Sequence, residues 1–71
     1  MKEVFIKDDF IKLGQALKLC GAVQSGVEAK QRIIDGEIKV NGVTEIQRGK
    51  KLREEDKFSC DANDYVIKKK T

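Results

Sequence analysis

The order of apolar and polar positions divides the chain into short elements. Val4, Phe5 and Ile6 form a brief apolar run that predicts a strand, followed by a turn at Asp8 and Asp9 and an extended piece at Phe10 and Ile11. Leu13, Ala16, Leu17 and Cys20 then recur at i, i+3, i+4 and i+7, the spacing of one helical face, and Gly21 can end that helix. A second helix is predicted to start at Ser25. Its hydroxyl can accept from the backbone N–H of Glu28, and the Glu28 carboxylate can reach back to the N–H of Ser25. Gly36 supplies a left-handed stop. Beyond it Ile38 and Val40 alternate with Glu37 and Lys39, and Asn41-Gly42 signals a two-residue type I′ turn into Val43. The stretch QRGKKLREED reads as an exposed basic loop. Two strand candidates close the chain, Lys57 to Cys60 and Tyr65 to Lys68, separated by the turn-rich DAND and followed by a frayed Lys69-Lys70-Thr71 tail.

Seventy-one residues allow one domain with a marginal core, so no large buried active site is expected. With 39% hydrophobic and 38% charged residues and no proline, the chain can collapse but offers no membrane span. MKEVFIKDDF meets charge too early for a secretory signal, and the expected compartment is the cytosol. Cys20 and Cys60 are too few and too far apart for a metal site and read as buried free thiols.

Net charge is only +3, yet residues 10 to 53 hold nine basic and four acidic side chains while the remainder is net negative. Segregation of this kind suits a polyanion-binding face, and a mixed solvated surface would produce it as well. On helix two, at about 100° per residue, Val27, Ala29, Ile33 and Ile34 share an arc opposite Glu28, Gln31 and Arg32. Lys30 falls inside the apolar arc. Its stem should cross apolar surface and its head emerge at the core's edge beside the hairpin, reaching either water or a ligand. Arg32, about 160° away, reads as an ordinary solvated cation.

Catalysis has no natural cast. The chain has no histidine, neither cysteine has a base beside it in sequence, and its single glycines build no phosphate loop. No catalytic residue, metal ligand or cofactor is expected. Phe5, Phe10, Phe58 and Tyr65 read as core rather than as stacking platforms, so base specificity should be weak.

Lys12-Leu13, Ser25 with Ala29, Ile33, Gly36, Ile38 and Val40-Asn41-Gly42-Val43, followed by the basic Arg48-Gly49-Lys50-Lys51-Leu52, resemble the S4 domain, also called the αL RNA-binding motif. Within that family the chain is most similar to small stand-alone bacterial members, and the likeness covers roughly residues 10 to 58. Gly14 stands where the family pattern has aspartate, Gly26 where many members carry arginine, and Glu55-Asp56 where a glycine-aspartate turn is usual. The resemblance implies a single α+β domain over residues 1 to 71, with two short helices packed on a small, mostly antiparallel sheet. It also implies a non-catalytic monomer that grips structured RNA, with ribosomal RNA or a ribosomal particle as the expected partner. The contact residues expected are Lys12, Lys30, Lys39, Arg48, Lys50 and Lys51 for phosphates, and Ser25 and Asn41 for polar contacts. The competing reading is an adaptor whose basic face docks on an acidic protein surface.

Overall fold

The structure, a computed structural model, describes residues 1–70. In chain order it contains β1 (Lys2–Ile6), β2 (Ile11–Lys12), α1 (Leu13–Leu19), α2 (Gly26–Ile34), β3 (Lys39–Val40), β4 (Val43–Thr44), β5 (Lys51–Leu52), β6 (Lys57–Cys60) and β7 (Asn63–Lys69). Five strands form one sheet in the order β1-β7-β6-β3-β4, and β2 pairs separately with β5. Only the β1–β7 pairing is parallel. The fold is therefore α+β, with two short helices and a mostly antiparallel sheet.

One cluster of buried side chains joins the layers. Leu13, Ala16 and Leu17 of α1 and Ala29 and Ile33 of α2 meet Val4, Ile6, Val40, Phe58, Tyr65 and Ile67 of the sheet. Phe58 and Tyr65 face each other across β6 and β7 with stacked rings 5.0 Å apart. Such a pair contributes about 0.5–1.5 kcal/mol beyond its area.

Local signals placed the helix ends correctly. Ser25 is the cap of α2 and accepts from the Glu28 N–H at 3.1 Å. The reciprocal half of the box is displaced by one residue, since the Glu28 carboxylate accepts from Gln24 N–H at 3.0 Å rather than from Ser25. Asn41 and Gly42 both adopt positive φ, 51° and 84°, as a type I′ turn between β3 and β4 requires. Glu55 also adopts a left-handed φ of 75°, at the position where the family pattern has glycine. Its N–H donates to Ile67 O at 2.8 Å and its carboxylate accepts from Lys68, contacts that hold it there.

Several readings need correction. The basic stretch is a loop only as far as Lys50, because Lys51–Leu52 is a strand opposite Ile11–Lys12 and Leu52 is fully buried. One leucine among cations was enough to anchor it. Within DAND only Asp61 and Ala62 form the turn, and Asn63 and Asp64 already pair in β7. Lys69 is not frayed, since it lies opposite Ile6 in β7, and Lys70 N–H donates to Ile6 O; Thr71 lies outside the described residues. Both cysteines are free, with Cys60 buried and Cys20 only half-buried. Phe5 is exposed and Phe10 half-buried, so neither belongs to the core. Among the described residues no helix is long and apolar enough to cross a membrane.

Candidate nucleic-acid interface

Helix α1 begins without a side-chain cap, because the residue before it is Lys12. Its first amide donors would be orphaned unless something else accepted from them. The basic loop does so: Leu13 N–H donates to Lys50 O at 2.8 Å, and Gly14 N–H donates to Arg48 O at 3.1 Å. A helix start and a cation-bearing loop thus complete each other's hydrogen bonding, which fixes the loop against the helix. Gly14 makes the approach possible. A Cβ there would stand 2.6 Å from Arg48 Cγ, so the arginine stem lies where any other residue would project.

The result is a pocket of about 360 Å³ carrying Lys12, Lys18 and Arg48 over the backbone of Gly14, Gly26 and Gly49. Among the described residues no carboxylate lines it. Two of the positions where the chain departs from the family pattern, Gly14 and Gly26, therefore open onto the same space. The β2–β5 ladder sets Lys12 directly opposite Lys51, a like-charge cross-strand pair that disfavours the ladder. Lys51 leans toward Phe10, with Nζ 4.8 Å from the ring centroid, and the Arg53 guanidinium carbon lies 5.7 Å from the same ring.

The expected contact residues do not form one cluster. Lys12 and Arg48 share the glycine-lined pocket, and Lys50 and Lys51 follow on the loop and β5. Lys39 and Asn41 border a separate open depression at the β3–β4 hairpin, together with Lys57 and Asp64. Asn41 is already employed in folding: its side-chain carbonyl accepts from Lys57 N–H at 2.9 Å and its amide donates to Asp56 at 3.3 Å. Ser25 is likewise engaged as the helix cap. Lys30 is exposed. Only Ala29 and Ile33 of α2 are buried, and Val27 and Ile34 flank Lys30 on the solvent side. The apolar arc was drawn too wide because α2 touches the core along a narrow strip.

Arg32 is the clearest correction. It is no solvated cation: its guanidinium donates to both oxygens of Asp61, with Nη1 to Oδ2 at 2.7 Å, while Nε donates to Glu37 at 3.2 Å and Nη1 also reaches Cys60 Sγ. The guanidinium holds the Asp61 carboxyl below its ordinary value, and burial pushes the Cys60 thiol up. Arg32 ties α2 to the β6–β7 turn. Lys68 pairs with Glu55 and Lys69 with Asp9 in the same self-satisfied way. Among the described residues, the other eight basic side chains of residues 10 to 53 make no ion pair.

Sequence reasoning missed Lys18, whose place in the last turn of α1 has a sufficient local reason in the helix dipole. No local pattern tied it to Lys12 and Arg48, since Arg48, on the loop that unites them, lies thirty residues further along the chain.

A small α+β domain whose cations without carboxylate partners among the described residues gather where a loop caps a helix has the charge distribution of polyanion-binding modules. More specifically, the chain belongs to the S4 domain family, whose model matches residues 4–68. Members of that family generally bind RNA and are generally non-catalytic. None of the curated proteins compared with the chain matches it.

Proposed function

We propose that this chain grips structured RNA as a non-catalytic, monomeric cytoplasmic protein whose whole length serves as one S4 domain, and that its partner is ribosomal RNA in a ribosomal particle or assembly intermediate. The observation that carries the reading is the set of basic side chains around the α1–loop junction that have no carboxylate partner among the described residues. Fixed cations without internal partners attract phosphates and release counterions when they bind. Lys12, Arg48, Lys50 and Lys51 form the centre of this face; Lys30 extends it along α2 and Lys39 toward the hairpin. Ser25 and Asn41 set the backbone of the two flanking segments and offer polar contacts from there.

The test is sedimentation of a lysate at low salt, following the protein through free, subunit and ribosome fractions with and without nuclease. Wild type should travel with particles and return to the free fraction after nuclease, and a Lys30→Glu, Lys50→Glu variant should stay free while remaining folded. Association that survives nuclease would identify an acidic protein surface as the partner. A wild-type protein found wholly in the free fraction would rule out the ribosomal assignment.

A further inference from the structure

A second depression, of about 540 Å³, adjoins the glycine-lined pocket, and the two share Gln15 and Lys18 of α1. Its character differs. Phe5 and Leu19, 49% and 57% exposed, border it with the half-buried Phe10. Lys7 and Asp8 stand at the rim. In β1 the alternation that buries Val4 and Ile6 turns Phe5 to the opposite face, so its exposure follows from strand geometry and not from a gap in the core. Phe5 and Leu19 stand outside the core, and Lys18, common to both depressions, joins them to Lys12 and Arg48, which pair with no carboxylate among the described residues.

We propose that these paired depressions bind one unpaired nucleotide of the RNA, its phosphate among Lys12, Lys18 and Arg48 and its base against Phe5. The inference rests on the RNA-binding reading above and specifies the form of RNA that reading leaves open. A duplex presents phosphates but keeps its base faces stacked inside, whereas a bulged or looped nucleotide offers an anionic backbone and an unstacked π-face together. That combination is the one matched by a basic seat beside an aromatic one. An apolar peptide or lipid chain would fill the second depression and leave the first unused. Phe10, already bordered by Lys51 and Arg53, closes the side of the base seat, and Phe5 is the open platform. Lys18 and Gln15, common to both depressions, sit where the sugar-phosphate backbone crosses α1.

The experiment compares two RNA hairpins at low salt that differ by one nucleotide, one fully paired and one with a single 2-aminopurine bulge inserted in the same stem. Wild type should bind the bulged hairpin about tenfold more tightly, in line with the contribution of one stacked base, and should quench the 2-aminopurine fluorescence. Phe5→Ala should abolish both the preference and the quenching while leaving affinity for the paired hairpin unchanged. Lys18→Ala should weaken both RNAs and reduce the salt slope by a little under one unit. Leu19→Gln, a second exposed change, should weaken the preference without altering the melting temperature. Equal binding of both hairpins without quenching would overturn the nucleotide site and leave RNA binding intact, as would a Phe5→Ala protein that keeps the preference. Binding of neither hairpin would overturn both readings.

Discussion

Two sets of cations divide this small protein. Arg32, Lys68 and Lys69 each find a carboxylate within the fold, and each joins segments far apart in sequence: α2 to the β6–β7 turn, β7 to the β5–β6 turn, and β7 to the β1–β2 turn. Lys12, Lys18, Arg48 and Lys50 find none among the described residues, although they stand on equally ordered backbone. The same side-chain chemistry thus serves cohesion in one region and is held open in the other. The difference separates variants that lose stability from variants that lose binding.

The largest effect should come from salt. If about five phosphates are contacted, affinity for RNA should fall a few hundredfold between 50 and 200 mM salt, while the melting temperature changes little. Filter binding across a salt series measures it, and a flat response would erase the distinction between the two sets. Next comes charge reversal. Arg48→Glu with Lys50→Glu should lower RNA affinity about a hundredfold at low salt without reducing the melting temperature, because both side chains are exposed and neither pairs with a carboxylate. Arg32→Gln should do the reverse, lowering the melting temperature and leaving the affinity of the folded protein within about threefold. A loss of binding in Arg32→Gln at a temperature where it is fully folded would place Arg32 in the interface.

How much of this was legible in the sequence follows from the range of each signal. The capped start of α2, its glycine stop and the Asn41-Gly42 turn are decided by residues within four or five positions of each other, and they stand as read. The identity of the free cations was not local. Arg32 looked solvated because its partner Asp61 lies 29 residues away, and Lys18 looked incidental because the loop that brings Arg48 beside it caps a helix through backbone carbonyls, which have no residue signature. Phe5 and Phe10 were assigned to the core on side-chain type, but Phe5 lies on the uncovered face of β1, an edge strand whose other face buries Val4 and Ile6, and Phe10 lies outside the strands, between β1 and β2. Side-chain type alone does not say which face is covered.

A smaller effect tests the hairpin that carries Lys39. Gly42 has φ of 84°, and a β-branched residue resists that region, so Gly42→Val should destabilise the domain by about 1 kcal/mol or more. Chemical denaturation measures this. RNA affinity at a temperature where the variant is folded should drop only as far as the hairpin contributes, which separates Lys39 from the α1–loop centre. An unchanged denaturation midpoint would mean that the turn relaxes without cost.

The smallest expected effect is also the sharpest probe of the self-paired set, because it depends on charge alone. The guanidinium of Arg32 holds the Asp61 carboxyl below its ordinary value near 3.8, so the folded state favours the ionised form more than the unfolded chain does. A group shifted downward contributes stability that is fully present above its unfolded value and is lost as pH falls through its folded value. Asp61→Asn keeps the shape and removes the charge. At pH 7 it should melt below wild type, and the gap should close as pH falls under about 4, since protonated Asp61 and asparagine are then both neutral. The Asp9 carboxyl, held low by Lys69, makes the same acid-side contribution in both proteins and cancels from the difference. Melting curves at pH 7 and pH 3 therefore isolate one ion pair. A gap that does not narrow at all between pH 7 and pH 3 would mean that Asp61 holds α2 through hydrogen-bond geometry and not through charge, and the cation beside it would then no longer owe its place in the self-paired set to electrostatics.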